Sequence, residues 1–271
     1  MEPLNNAYEA ILAEQQHATL PPKETAPACV TCGDARWLNN SVPQGEKGFG
    51  EVTRCPTCLT QEEKMSMCGL ANEILPGSDW DWFNPELQPT EEAKMEAAAL
   101  KMALIDWVRS KGKRWLLISG APGIGKSDLV KTAVWLAFCA NQGGTYLTAY
   151  EFDKRIKDFK DSYDDRKKEG DQVYTHPDKW LEQFATRKRL ALDDVGAGYS
   201  DRSGYVKQRF EQLFDIRYRM KLPTLVTTNM TSKEFQQHVG YRVWSRLWDS
   251  QLSEVIECHA MQDVRPMKRG N

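Results

Sequence analysis

Two stretches of this sequence carry side chains whose types and spacing suit chemistry on a phosphate, and a third suits a metal. The first is Gly120-Ala121-Pro122-Gly123-Ile124-Gly125-Lys126-Ser127, which reads G-x-x-x-x-G-K-S. Its glycines let consecutive backbone N–H groups turn inward around a phosphate without side-chain clash. Lys126 brings a full positive charge to the β- and γ-phosphates, and the Ser127 hydroxyl suits the shell of a Mg²⁺ ion. The second stretch is Leu190-Ala191-Leu192-Asp193-Asp194, an apolar run that ends in two carboxylates 67 residues beyond Lys126. There Asp193 is expected to hold Mg²⁺ through its waters, and Asp194 to orient and deprotonate an attacking water. Alone, such a run is a common strand-to-turn junction. Paired with the glycine loop it points to the binding and hydrolysis of ATP.

The third stretch holds Cys29-x-x-Cys32 and Cys55-Pro56-Thr57-Cys58, with 22 residues between the pairs. Each C-x-x-C can place two thiolates on one ion from a tight turn, and two such turns complete a Cys₄ zinc site. Gly45, Gly48 and Gly50 suit a hairpin that carries one turn to the other. A thioredoxin-type redox pair is the rival reading, but neither C-x-x-C follows a βαβ pattern. Four unrelated free cysteines are the other alternative. Cys68, Cys139 and Cys258 are unpaired in spacing, and Cys139 falls in an apolar helix where core packing is expected.

These groups need elements to position them. Trp115-Leu116-Leu117-Ile118 reads as a buried strand leading into the glycine loop, and Leu129 to Phe138 as a core helix leaving it. Strand, loop, helix is the context that gives the glycine pattern its meaning, because the helix start adds unpaired donors and partial positive charge. Thr145 to Thr148 reads as a second strand, and Trp180, Leu181 and Phe184 mark a short helix. Residues 151–172 are dense in charge, which suits a solvated helix or loop. Tyr205 to Met220 carries Val206, Phe210, Leu213 and Phe214 at helical spacing. Pro223 to Asn229 is a further core strand, and Asn229 at its carboxyl end would face the γ-phosphate, or simply begin a turn. Arg242 and Arg246 lie four apart on one helix face, suited to phosphate oxygens or to structural ion pairs. Glu254 to Cys258 reads as the last strand.

Ahead of the glycine loop, Thr90 caps a helix in which Met95, Ala98, Met102 and Ile105 recur at helical spacing, read as a core-facing stripe. Before it, Gly69 to Pro89 is a proline-interrupted linker whose Trp80, Trp82 and Phe83 are expected to dock on the following domain. Ala7 to Glu14 is a short helix-like run that stops before Pro21-Pro22, and Met267 to Asn271 a loose tail. The domain reading is therefore 1–75 zinc-binding and partner-binding, 76–89 linker, and 90–271 ATPase. With 36 Lys+Arg against 38 Asp+Glu the net charge is −2, which argues against a surface coated in basic groups. No segment approaches the length of a membrane span and no secretory leader is visible, so a cytoplasmic protein without a membrane partner is expected.

Taken together, five stretches resemble the AAA+ ATPases, and more narrowly the DnaC/DnaI-type bacterial helicase loaders. They are Gly120–Ser127, Leu192-Asp193-Asp194-Val195-Gly196, Arg217-Tyr218-Arg219 through Leu222-Pro223-Thr224, Thr227-Thr228-Asn229, and Arg242-Val243-Trp244-Ser245-Arg246-Leu247. The resemblance covers roughly residues 90–260. It implies an α/β core, a parallel sheet flanked by helices, with ATP bound between subunits of a ring or spiral. It also implies a sensor-1 role for Asn229 and an arginine-finger role for Arg246, with Arg242 a second arginine near that interface. Many AAA+ proteins carry Glu where this chain has Asp194, and the shorter side chain fits slow, switch-like hydrolysis. The cysteine module resembles the DnaI side of the family, where that domain contacts the replicative hexameric helicase, and the core of such loaders touches single-stranded DNA. The IstB-type transposition helper ATPases share nearly every core motif and are the alternative. A nucleotide-binding adaptor without turnover is a third reading.

Overall fold

A computed structural model describes residues 29–264, apart from 40–42, 45, 47, 48, 56, 78, 110–114, 159–180, 183 and 197–203. The expected helix over 7–14, the Pro21-Pro22 break, Trp180 and the tail from Met267 lie outside the described residues. The chain divides into two compact units, Met1–Leu59 and Thr60–Asn271.

In the first unit, β1 (Trp37–Asn39) pairs antiparallel with β2 (Val52–Arg54), setting Trp37 opposite Arg54 and Asn39 opposite Val52. This is the hairpin expected between the cysteine pairs. Tight turns flank it: the Gly33 N–H donates to the Cys29 carbonyl at 2.9 Å, and the Cys58 N–H to the Cys55 carbonyl at 3.1 Å.

The second unit opens with α1 (Gln61–Met67), started by a capping box between Thr60 and Glu63. Several described residues between 68 and 89 then lie against the core rather than apart from it. Cys68, Leu70 and Phe83 are buried in the same apolar cluster as the long helix α2 (Glu91–Val108). Trp82 Nε1 donates to Thr132 Oγ1 at 3.1 Å, and Lys131 pairs with Glu73 at 2.6 Å. The aromatics of the expected linker dock on the core, as anticipated. Their burial groups this segment with the second unit, Thr60–Asn271.

Five parallel strands follow: β3 (Trp115–Gly120), β4 (Tyr146–Thr148), β5 (Leu190–Asp193), β6 (Thr224–Thr228) and β7 (Ser253–Cys258). They lie in the spatial order β4-β5-β6-β3-β7. Helices cover both faces, so the central strands β3, β5 and β6 are buried along their length instead of alternating. Leu116 and Ile118 point into one core with α2 and with α3 (Lys126–Cys139). Trp115 and Leu117 point into the other, with α4 (Tyr205–Arg219), α5 (Ser232–Val239) and α6 (Tyr241–Leu247). Helical residues 149–158 also belong to this second face, where Phe152 and Ile156 are buried. Among the described residues no helix is long and apolar enough to cross a membrane.

Two expectations are corrected. The inward face of α2 carries Ala93, Ala97, Leu100, Leu104, Trp107 and Val108, while Met95 and Met102 are 73% and 55% exposed. Alanines on the inward stripe let α2 approach its neighbours closely, and its large side chains already fill the core, so the Met95–Ile105 stripe turns outward. Cys139, expected in the core, is exposed at the last residue of α3. A further determinant was missed: Arg217 is fully buried. Its guanidinium donates to Thr224 Oγ1 at 2.8 Å and to the carbonyls of Ala185 and Arg187, both at 2.9 Å, tying α4 to β6 and to the chain before β5. Burial lowers its pKa to about 9, and these acceptors compensate the buried charge.

Candidate functional site

The carboxyl ends of β3, β5 and β6 meet at the glycine loop, as expected for an open parallel sheet. Gly123 and Gly125 have φ of +93° and +92°, a backbone conformation that favours glycine at both turns of the loop. Gly125 caps α3 without a side-chain hydrogen bond, leaving the helix N-terminus open to an anion. Ile124, between them, is fully buried and anchors the loop in the core. The loop encloses a cavity of about 240 Å³ lined by Pro122, Gly123, Gly125, Lys126, Ser127, Asp128, Asp194, Thr227, Asn229 and Val264.

Lys126 Nζ donates to the carbonyls of Gly120 and Ala121 at 2.7 and 2.9 Å, and to Asn229 Oδ1 at 2.7 Å. The amide of Asn229 in turn donates to Asp194 Oδ1 at 2.7 Å. Lys126, Asn229 and Asp194 are therefore one connected chain, although 103 and 35 residues separate the successive partners. Burial first, and then the negative charge of Asp193, raise the Asp194 pKa above the ordinary carboxylate range, while Lys126 opposes the shift. That environment suits a proton acceptor whose affinity for a proton exceeds that of an exposed carboxylate.

Asp193 is placed differently from expectation. It is 2% exposed and does not line the cavity. Its Oδ2 accepts from the Tyr146 hydroxyl at 2.7 Å and its Oδ1 from the Thr227 hydroxyl at 2.5 Å. Asp194 is the carboxylate that faces the loop, because the chain leaves β5 at that residue with φ +56° and turns the side chain toward Asn229.

Neither Arg242 nor Arg246 lines the cavity. Both pair with Asp215 on α4, Arg242 at 2.6 Å. Arg246 also lies over the Tyr218 ring, 5.3 Å from its centroid, with its side chain 18% exposed against 63% for Arg242. Of the two, Arg242 presents more of itself outward.

One feature of the site carried no signal in the sequence. After β7 the chain runs back past the loop, pinned by the Glu96 carboxylate, which accepts from the N–H groups of His259, Ala260 and Met261 at 3.1, 2.9 and 3.1 Å. The Val264 N–H then donates to the Gly123 carbonyl at 3.1 Å, which brings Val264 into the cavity wall. Side-chain to backbone pins of this kind have no periodicity to detect.

A phosphate-loop strand flanked by β6 and β7, with β6 inserted between it and the strand bearing the carboxylates, is a specific arrangement. It puts Asn229, at the end of β6, between Lys126 and Asp194. The core is a five-stranded parallel α/β sheet flanked by helices, with the glycine loop at its carboxyl edge.

No protein-family model matches the chain, and no curated protein matches it. Among solved structures it is similar to the crystal structure of the DnaC helicase loader, with TM-score 0.49 and 17% identity over 66% of this chain and 96% of that one. It is similar to the crystal structure of DnaI, with TM-score 0.45 and 18% identity over 64% of this chain and 85% of that one. It is also similar to AMPPCP-bound DnaA from Aquifex aeolicus, with TM-score 0.46 and 18% identity over 65% of this chain and 50% of that one.

In the other unit, the Sγ atoms of Cys29, Cys32, Cys55 and Cys58 all lie within 4.8 Å of one another. Cys29 and Cys55 are 3.8 Å apart and Cys32 and Cys58 3.5 Å. Metal–sulfur bonds of about 2.3 Å in a tetrahedron put sulfurs about 3.8 Å apart, so the set fits zinc. The Thr31 and Thr57 hydroxyls, 2.9 Å apart, link the two turns outside the sulfurs. A hydrogen bond from the Cys32 backbone lowers the Cys29 pKa, whereas Cys29 and Cys32 push that of Cys58 up to about 12. Four thiols cannot all ionise side by side without a cation between them, and a divalent ion reverses that balance.

Proposed function

We propose that this chain is an ATP-dependent loader of a replicative DNA helicase, using nucleotide binding as a switch and hydrolysing ATP slowly at subunit interfaces. The observation that carries the reading is the joining of Lys126, Asn229 and Asp194 into one hydrogen-bonded chain at the mouth of the phosphate loop, in a protein that also bears a four-sulfur module. Lys126 is assigned the β- and γ-phosphates, and the Ser127 hydroxyl is the oxygen donor offered to Mg²⁺ from the cavity wall. Bound there, Mg²⁺ would neutralise charge on the phosphate oxygens. Asp194 accepts the proton of the attacking water, and Asn229 orients Asp194 and the γ-phosphate. Arg242 and Arg246 are assigned to the next subunit's nucleotide in a ring or spiral, where Asp215 holds both until assembly. The cysteine module is assigned to the helicase and the core to single-stranded DNA. A transposition helper shares the core but has no evident use for a compact zinc module that grips a single protein partner.

Asp194→Asn is expected to leave ATP affinity intact and lower turnover by about 10²- to 10⁴-fold. The amide keeps an oxygen for Asn229 and cannot take a proton. In the parent protein the acid limb of the turnover profile should lie above the usual carboxylate range, since the folded-state pKa of Asp194 is raised. Turnover is thus lost, as pH falls, earlier than for an exposed aspartate. Equilibrium nucleotide binding and steady-state phosphate release across pH check both statements.

The functional assignment is tested by capture with the full-length chain. The replicative helicase of the same host should bind without ATP, and binding should vanish in a Cys29→Ser, Cys58→Ser variant. Capture of a transposase and not the helicase would overturn the loader in favour of the helper.

A further inference from the structure

The hydrogen bonds around Asp193 continue the chain that begins at Lys126. Asp194 is met from two sides: its carboxylate by Asn229, and its backbone N–H by the Thr227 hydroxyl oxygen at 2.8 Å. The Thr227 hydroxyl donates onward to Asp193 Oδ1, so its oxygen and its proton are both committed. Asp193 Oδ2 is held by Tyr146, a residue on β4 that is 3% exposed and lies outside the cavity lining. Next to Thr227, the Val195 N–H donates to its carbonyl at 2.8 Å. The turn that aims Asp194, with its φ of +56°, is therefore closed by Thr227, and Thr227 is oriented by a carboxylate that Tyr146 fixes.

We infer that Tyr146 is a positioning residue for the hydrolytic site, setting the aim of Asp194 through Asp193 and Thr227. Asp193 on this account joins β4, β5 and β6 through its two carboxylate oxygens. Tyr146 is itself immobilised. Its backbone N–H donates to the Cys68 carbonyl at 2.8 Å, and Lys131, paired with Glu73, lies over its ring at 5.8 Å. A phenol suits this place because it is long enough to reach Asp193 from β4 and, unlike an ammonium, adds no charge. Burial and the neighbouring Asp193 charge push the Tyr146 pKa upward, so the hydroxyl keeps its proton and remains a donor.

The inference rests on the ATPase reading, and its test separates the two. Tyr146→Phe removes the donor and keeps the ring against Lys131 and the core. In the full-length protein, hydrogen exchange at the Asp194 and Val195 amides should speed up by about tenfold, a hydrogen bond to a charged group having been lost. The kcat for ATP should fall by about tenfold while the equilibrium ATP Kd stays unchanged, the scale typical of removing a supporting partner. Thr227→Val removes both the other donor to Asp193 and the acceptor of the Asp194 N–H, so it is the positive control and should give faster exchange at Asp194. Unchanged exchange at Asp194 and Val195 in Tyr146→Phe would overturn the inference, whether or not the parent protein hydrolyses ATP. So would a parallel loss of kcat and ATP affinity in Tyr146→Phe. Absence of ATP turnover in the parent would instead count against the ATPase reading, leaving the exchange measurement to decide the role of Tyr146.

Discussion

Replacing Lys126 by alanine is expected to abolish measurable ATP binding. The ammonium is nearly buried at the mouth of α3, where its three protons are committed to Gly120, Ala121 and Asn229. It is the cationic side chain among the residues that line the cavity, whose other charged members are Asp128 and Asp194. Without it a polyanion would meet two carboxylates in a partly desolvated site, with only backbone dipoles to oppose them. Losing one partner of a buried charged contact costs about 2–5 kcal/mol, or roughly 30- to 4000-fold in affinity. The carbonyls of Gly120 and Ala121 also lose their donor, so the loop itself relaxes. Titration with a fluorescent ATP analogue checks this, with thermal unfolding as the control for a folded protein. Equal affinity in parent and variant would remove the assignment of Gly120–Ser127 as a phosphate loop.

Zinc removal is expected to have an effect of comparable size, confined to the other unit. The described part of that unit has two three-residue strands, and its buried hydrophobic residues are Cys29, Cys55 and Leu59. Val30, Trp37, Phe49 and Val52 are all about half exposed or more, so they form no core. A two-stranded hairpin of this size is not stable alone in water. Binding of a structural zinc ion supplies on the order of 10 kcal/mol in such modules. One zinc per chain should therefore be found by elemental analysis, and it should be lost in the Cys29→Ser, Cys58→Ser variant. Chelation should collapse the hairpin, with the Trp37 signal reporting the change, while ATP affinity stays at the parent value because Thr60–Asn271 carries its own core. Zinc content far below one per chain in protein never exposed to chelator would reject the site.

Much of the fold was legible because its central strands are buried on both faces. Strands buried on two faces read as unbroken apolar runs, and β3, β5 and β6 were each found within a residue or two. The cysteine pairs announced their convergence by spacing alone, since a C-x-x-C turn has few ways to present two sulfurs. What failed was the choice of face on α2. Met95, Ala98, Met102 and Ile105 and the parallel stripe through Ala97, Leu100 and Leu104 both fit a helical period, and alanine is silent about which side it occupies.

The glycine loop, its lysine and the acidic strand end were determined by the sequence itself, because a phosphate cradle is built from local backbone that glycine alone permits. Which of two adjacent aspartates faces that cradle was decided only by the tertiary structure. Asp193 is the last residue of β5, whereas Asp194 leaves the strand with φ +56°, and their carboxylates find different partners. The two residue types are identical, and nothing local distinguishes them. The choice is made by Tyr146 and Thr227, which arrive from β4 and β6 to claim the oxygens of Asp193, and by the left-handed turn at Asp194 that delivers the next carboxylate to Asn229. Those partners lie 47 and 34 residues from Asp193, and only the packing of parallel strands brings them to it.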